Sequence, residues 1–145
     1  MSYKINKKKV KEFIKYALST GFNDEESAED HLKNIIETFN DLPDPVRLYR
    51  ILFLKNIRDF NKEEPGEHYV LSKEKLIRDH YDSMLYDYSK FEKSRPYILI
   101  VEANKNKIDF TETIKNNLAY PHEEEITLKD KGRGVNILSL VKLKR

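Results

Sequence analysis

The stretch DLPDPVRLYRILFL, residues 41–54, constrains the fold more than any other part of the chain. Its two prolines, Pro43 and Pro45, prevent a preceding helix from continuing. The nine residues that follow are rich in branched and aromatic side chains, which predicts a β-strand over residues 46–54. Both faces of this strand are largely apolar. We therefore expect a central strand that is covered on both faces.

Two amphipathic helices are predicted before this strand. Residues 7–20 carry apolar side chains at helical spacing, and Gly21 follows where a helix commonly ends. The second helix begins in NDEES and carries one apolar stripe, with Asn23 or Asp24 as its cap. Its acidic first turn suits the positive end of the helix dipole.

Strands are predicted to dominate the remainder of the chain. HYVL follows the turn signal Pro65-Gly66 and predicts a short strand, and PYILIVEA predicts a long one. Between them, residues 72–92 carry an imperfect helical stripe with Ser72 as a cap, and later TETIKNN predicts a short helix or turn. EEEITL and GVNILSLVKL predict the last two strands, joined by KDKGRG as a hairpin loop.

This order of elements indicates a single α+β domain over residues 1–145. Residues 1–42 are predicted to be helical, and residues 43–145 are predicted to be dominated by strands. The apolar residues fall in periodic blocks, which separates this charge-rich chain from disordered ones.

Composition excludes several kinds of protein. With 27 basic and 25 acidic residues the net charge is only +2, which gives little overall attraction to nucleic acid, so we do not expect nucleic acid as a partner. The chain has no cysteine, which excludes thiol catalysis and cysteine-based zinc sites. Its four histidines show no metal-ligand spacing, so we expect no metal. No segment approaches the ~20 apolar residues of a membrane span, and no signal peptide is evident, so we expect a cytoplasmic protein.

Arg50 is the first candidate for a functional side chain. Strand alternation places it on the same face as Leu48 and Leu52, where a guanidinium needs an anionic partner or several acceptors. Arg50 is structural if it pairs with a buried carboxylate or reaches solvent near the strand end, and functional if it binds a phosphate or a ribose. Arg47 lies on the opposite face and is a weaker candidate.

GEHYVLSKE and the three consecutive glutamates supply the other candidates. His68 and Tyr69 follow a turn, where they suit hydrogen bonding to a ligand and stacking on it. The alternative for His68 is an ordinary surface histidine. Alternation places Glu123 and Glu125 on one side of the predicted strand, as two carboxylates that cleave a glycosidic bond require. The alternative for both is a solvated strand start.

The three elements together resemble the ADP-ribosyltransferase-like superfamily, whose members bind NAD in a cleft of a split β-sheet. The resemblance implies a mainly antiparallel sheet in a β-rich, NAD-binding-like core over residues 43–145, with residues 1–42 as a helical preface. LYR, residues 48–50, is similar to the aromatic-arginine element on the family's first strand. GEHYVLS is similar to a stretch of the small phage-type and toxin-type members, and EEEITLKDKGRGVNIL is similar to the closing Glu-x-Glu motif. The resemblance covers about residues 43–141, and the family's Ser-Thr-Ser strand is absent.

The resemblance implies an NAD-dependent protein mono-ADP-ribosyltransferase, a glycosyltransferase with NAD as substrate. Arg50 would bind the NAD phosphate or ribose, His68 the adenosine ribose, and Tyr69 would pack near the nicotinamide. Glu125 would be the catalytic glutamate that contacts the 2′-hydroxyl of the nicotinamide ribose. Glu123 would position the nucleophile, an arginine side chain of the acceptor. A phage-encoded member would act on a host protein in the host cytoplasm.

Two other functions stay open at this point. The chain would be a binding module that keeps the fold without turnover, or a small nucleic-acid-associated protein that uses its basic ends. Binding that weakens steeply with salt would indicate the second of these. We expect Arg50, His68 and Glu125 to converge on one cleft.

Overall fold

The computed structural model describes residues 4–79, 94–121 and 123–143. Within these ranges the chain is an α+β protein with four helices and five strands. In chain order the elements are α1 (Lys7–Thr20), α2 (Glu25–Asp41), β1 (Val46–Leu54), β2 (His68–Val70), α3 (residues 73–79), β3 (Arg95–Ala103), α4 (Phe110–Ala119), β4 (Glu125–Thr127) and β5 (Asn136–Lys142). None of the described helices combines the length and the apolar character needed to cross a membrane.

The two predicted N-terminal helices are confirmed, and side-chain caps fix where they begin. Asn6 Oδ1 accepts a hydrogen bond of 2.9 Å from the backbone N–H of Lys9 and caps α1. Asp24, rather than Asn23, caps α2 by accepting a 2.7 Å bond from Ser27 N–H. The predicted helix that starts after Ser72 is seen over residues 73–79, and the remainder of that prediction lies outside the described residues.

The five strands form one antiparallel sheet in the order β4-β2-β1-β3-β5. β1 is the central strand, as predicted, and pairs with β3 along all nine of its residues. Its pairing with β2 is reduced to one pair, Tyr49 with Val70. The sheet is therefore continuous but narrow at the β1–β2 junction, whereas the resemblance implied a split sheet.

The predicted hairpin between the last two strands is wrong. β4 pairs with β2, and β5 pairs with β3, so the two strands lie at opposite edges of the sheet. The connecting residues Lys129–Gly132 form a short 3-10 turn in which Asp130 and Lys131 have left-handed backbones, with φ of 49° and 56°. This turn docks on the earlier loop, because Gly66 N–H donates a 2.9 Å bond to Lys131 O.

The core lies between the sheet and helices α1, α2 and α4. The face of the sheet that meets these helices is called the helix face here, and the opposite side is called the open face. Buried residues of the helix face include Val46, Leu48, Tyr69 and Ile126. The open face of β1 is only half-buried at Tyr49, Ile51 and Phe53. On the helix face of β1, Val46 and Leu48 are buried but Arg50, Leu52 and Leu54 are half-buried, so the expected cover on both faces is found only in part.

Candidate functional site

An open hollow of ≈ 240 Å³ lies at the narrow β1–β2 junction. Its walls include all five residues that the sequence singled out, which are Arg50, His68, Tyr69, Glu123 and Glu125. They come from β1, β2 and the start of β4, because β2 is hydrogen-bonded between the other two strands. As expected, Arg50, His68 and Glu125 line one cleft.

His68 and Glu125 are in direct contact in this hollow. His68 Nδ1 lies 2.6 Å from Glu125 Oε1, and the second ring nitrogen of His68 lies 3.4 Å from Glu67. The two side chains meet because β2 and β4 are paired in a register that sets Val70 opposite Glu125. His68 is then the diagonal neighbour of Glu125 on the same face of the sheet.

Burial sets the protonation behaviour of Glu125. Its side chain is 13% exposed, and the loss of solvent raises the pKa of the carboxyl above its ordinary value. The His68 contact lowers this pKa and the neighbouring Glu123 carboxylate raises it, with burial as the largest cause. The site therefore holds one sheltered carboxyl beside one exposed carboxylate, Glu123.

Arg50 and Tyr69 form a second contact pair. The Arg50 guanidinium lies 6.0 Å from the centre of the Tyr69 ring, within the range of a cation–π interaction. It also packs on the backbone of Gly66, where an added Cβ would come within 2.6 Å of Cζ. Among the described residues no carboxylate pairs with Arg50, so the structural alternative of a buried ion pair finds no support in that part of the chain.

The two pairs reach the hollow from opposite faces of the sheet. β1 runs without a bulge against β3, so Arg50 shares the helix face with Leu48, while Tyr49 belongs to the open face. Tyr49 pairs with Val70, and Val70 pairs with Glu125, which places Glu125 on the open face too. The structure brings His68 and Glu125 together and sets Arg50 beside Tyr69 instead.

Arg47 is the arginine of β1 on the open face. Its side chain is 60% exposed and lies 4.0 Å from Glu102 in a loose ion pair. On sequence alone, Arg47 ranks below Arg50 because Arg50 shares a strand face with leucines, where a guanidinium needs a partner, and Arg47 does not. Strand register is the signal that separates the two arginines, and it depends on which strands pair.

Tyr69 differs from its expected position. The residue is 1% exposed and belongs to the hydrophobic core, so its ring is not available to pack on a ligand in this conformation. Its hydroxyl is buried and has no hydrogen-bond partner among the described residues. Burial raises the pKa of Tyr69 to about 12, against which the Arg50 charge acts weakly.

Side chains of α4 hold the outer edge of β4. Thr113 Oγ1 accepts a 3.0 Å bond from Thr127 N–H, and Asn116 Nδ2 donates a 2.9 Å bond to Thr127 Oγ1. The side-chain amide of Asn117 also forms hydrogen bonds with the backbone N–H and C=O of Glu125. The helix thus replaces the neighbouring strand that an edge strand lacks, a role that the pattern TETIKNN did not indicate.

No group of histidines and carboxylates suited to a metal ion is found in residues 4–79, 94–121 and 123–143. Comparisons with protein-family models, curated proteins and solved structures return no match for this chain. The case for a function is therefore made from the geometry of the hollow.

Proposed function

We propose that this protein transfers ADP-ribose from NAD to a protein acceptor and that the reaction takes place in the hollow at the β1–β2 junction. The observation that carries the proposal is the 2.6 Å contact between His68 and Glu125, with Glu123 on the same wall. A sheltered carboxylate next to an exposed one meets the needs of glycosidic bond cleavage. The resemblance of the sequence motifs to the ADP-ribosyltransferase-like superfamily supplies the substrate.

The chemistry divides between the two glutamates. The bond from the anomeric carbon of the ribose to the nicotinamide nitrogen breaks, nicotinamide leaves with the electron pair, and positive charge develops on the sugar. Ionised Glu125 accepts a hydrogen bond from the 2′-hydroxyl and stabilises that charge. A lone pair of the acceptor, in this proposal an arginine side chain, then forms the new bond to the anomeric carbon. Glu123 takes the proton that the acceptor nitrogen loses.

In this scheme His68 acts through its contact with Glu125. Its Nδ1 lies against Oε1 of Glu125, so it orients the carboxylate and, when protonated, favours its ionised form. The other carboxylate oxygen remains to face the ribose. The family resemblance assigned the adenosine ribose to His68, whereas the structure supports a contact with the catalytic carboxylate.

The phosphates of NAD need a cation, and β1 offers two. Arg50 is the candidate from the sequence motif and lines the hollow, although its side chain belongs to the helix face. Arg47 lies on the open face with His68 and Glu125 and is the more exposed arginine. Replacing each by alanine decides between them, because losing a charged hydrogen bond costs about 1.5–3 kcal/mol, or about tenfold or more in Kd.

The test of the proposal is nicotinamide release and transfer of labelled ADP-ribose to protein. We expect activity in the wild type and a loss of about 100-fold or more in Glu125→Gln, the size of effect seen when one charge-stabilising group is removed. Glu124→Gln is the matched control, because Glu124 is an adjacent exposed glutamate outside this hollow. An inactive wild type, or equal losses in both variants, contradicts the proposal.

A binding module without turnover is the second candidate. It is favoured by the placement of Arg50 and Glu125 on opposite faces of the sheet, which separates the candidate phosphate contact from the candidate catalytic carboxylate. A module predicts that NAD binds, that no nicotinamide is released, and that Glu125→Gln leaves the affinity unchanged. Release of nicotinamide by the wild type excludes it.

A further inference from the structure

Asn117 fixes the backbone of Glu125 from the neighbouring helix. Its Oδ1 accepts a 3.1 Å hydrogen bond from Glu125 N–H, and its Nδ2 donates a 2.7 Å bond to Glu125 O. The same Nδ2 donates a 2.8 Å bond to Thr113 O within α4. Asn117 is 8% exposed, so these bonds form away from solvent. One side-chain amide therefore satisfies both backbone groups of the proposed catalytic glutamate.

The surroundings of Asn117 make this contact rigid. Asn117 lies in the last half of α4, a helix that begins at the Asp109 cap and packs Ile114 and Leu118 into the core. His31 Nε2 of α2 lies 3.1 Å from Asn117 O, which ties the same turn to a second helix. A side chain with its rotamer set by three hydrogen bonds and by burial is a precise anchor.

The backbone of Glu125 needs such an anchor because little else among the described residues holds it. β4 has only three residues, and β2 pairs with it on one side alone. The preceding residue, Glu124, has a left-handed backbone with φ of 49°, a conformation that costs energy outside glycine. Without Asn117, the first residue of β4 would follow a strained residue with its own N–H and C=O unpaired.

We propose that Asn117 is a positioning residue, which sets the Glu125 carboxylate against His68 by holding the Glu125 backbone. The consequence for catalysis rests on the proposed transferase function, and the consequence for the His68–Glu125 contact does not. Because Asn117 is not among the residues that line the hollow at the β1–β2 junction, it acts through Glu125 and not through the ligand.

Asn117→Ala and Asn116→Ala form a matched pair for the test. Both remove an amide that bonds β4 from α4, but Asn116 bonds the side chain of Thr127, two residues further on. The readout is the imidazole NMR signals of His68 at fixed pH, with Glu125→Gln as the reference for a lost contact. We expect Asn117→Ala to move these signals toward the Glu125→Gln reference and Asn116→Ala to leave them as in the wild type.

Activity gives a second readout where the wild type releases nicotinamide. A misplacement of a catalytic group by about 1 Å costs about 100-fold, so kcat should fall by that order in Asn117→Ala with little change in KM for NAD. Asn117→Asp keeps the acceptor for Glu125 N–H and loses the donor, so it should give an intermediate kcat. A purely structural residue would lower thermal stability and leave the kcat of the folded fraction unchanged.

The wild-type protein alone supplies a further check that needs no variant to fold. Glu125 N–H bonds Asn117 and not a neighbouring strand, so protection of this amide from hydrogen exchange reports the anchor directly. We expect clear protection of the Glu125 amide. A freely exchanging Glu125 amide, or His68 signals that respond equally to both alanine variants, would overturn the inference. An inactive wild type with the expected NMR results would count against the transferase alone.

Discussion

The guanidinium of Arg50 lies directly on the backbone of Gly66, in space that the Cβ of any other residue would occupy. Gly66 has a φ of 120°, and its N–H donates a hydrogen bond to Lys131 O, which ties this backbone to the turn at residues 129–132. The guanidinium is thus confined between a glycine and the Tyr69 ring. This arrangement makes the position of Arg50 dependent on a loop residue far from it in sequence.

We predict that Gly66→Ala displaces Arg50 in addition to straining the backbone. Gly21→Ala is the matched control, since Gly21 also has a positive φ, 133°, but nothing lies within 4 Å of its added Cβ. Both variants should lose about 1–2 kcal/mol of stability from the strained backbone, measured by urea unfolding. Only Gly66→Ala should change the NMR signal of the Arg50 Nε–H group. Equal spectra for the two variants would contradict this prediction.

Tyr69→Phe should stabilise the protein at neutral pH. The Tyr69 hydroxyl is buried without a partner among the described residues, and such a group costs about 1–3 kcal/mol. Removing it while keeping the ring should raise the free energy of unfolding by about 1 kcal/mol, measured by urea unfolding. A loss of stability in Tyr69→Phe would show that the hydroxyl has a partner after all.

The same residue predicts an alkaline limit to stability. Burial raises the pKa of Tyr69 from 10.0 in the unfolded chain to about 12 in the folded protein. Its neutral phenol therefore favours folding fully below pH 10.0, and this contribution is lost as the pH rises toward about 12. Thermal unfolding followed across this window should show a steeper fall for the wild type than for Tyr69→Phe. Parallel curves of stability against pH for the two proteins would contradict this role of Tyr69.

Glu125→Gln should change the pH dependence of stability in a defined direction. Burial raises the pKa of Glu125 in the folded state above its ordinary 4.5. A raised carboxyl pKa favours folding below the unfolded value, and that contribution is lost as the pH rises through the folded pKa. The gain in stability of Glu125→Gln over the wild type should therefore increase between about pH 4 and about pH 6, a window that spans the ordinary pKa of 4.5 and values above it.

Urea unfolding of both proteins at the two ends of this window measures the effect. Glu123→Gln is the control for this comparison. Because Glu123 is exposed, this substitution should produce no difference in stability that arises from burial. A difference between wild type and Glu125→Gln that stays constant, or that shrinks with rising pH, means that the His68 contact outweighs burial.

Much of the framework follows from local sequence patterns. Residues 46–54 were predicted as a strand and are β1, because a run of branched and aromatic residues begins directly after a proline. The caps of α1 and α2 are likewise local, since a cap bonds a backbone N–H three residues ahead. The sequence motifs also indicated five of the residues that line the hollow at the β1–β2 junction.

Strand partners could not be predicted in the same way. EEEITL and GVNILSLVKL are neighbours in sequence, which favoured a hairpin, yet β4 and β5 pair with strands formed much earlier. For the same reason, the sequence could not show that Arg47 shares a strand face with His68 and Glu125. Alternation assigns Arg47 and Arg50 to opposite faces, but only the register of β1, β2 and β4 shows which face carries His68 and Glu125.

The role of Asn117 had no local signal at all. A polar residue in the helix pattern TETIKNN is typical of a solvated helix face, whereas the structure buries Asn117 against the backbone of β4. The burial of Tyr69 was missed for the same reason, because its cover comes from helices distant in the chain.

The most direct test of the account is an NMR titration of the wild-type protein with NAD, followed at backbone amides. The account predicts saturable shifts at His68 and Glu125 that are retained in Glu124→Gln and are abolished or weakened at least tenfold in Arg50→Ala or Arg47→Ala. If NAD produces no saturable shift at His68 and Glu125, the hollow does not bind the dinucleotide and the proposed transferase is ruled out.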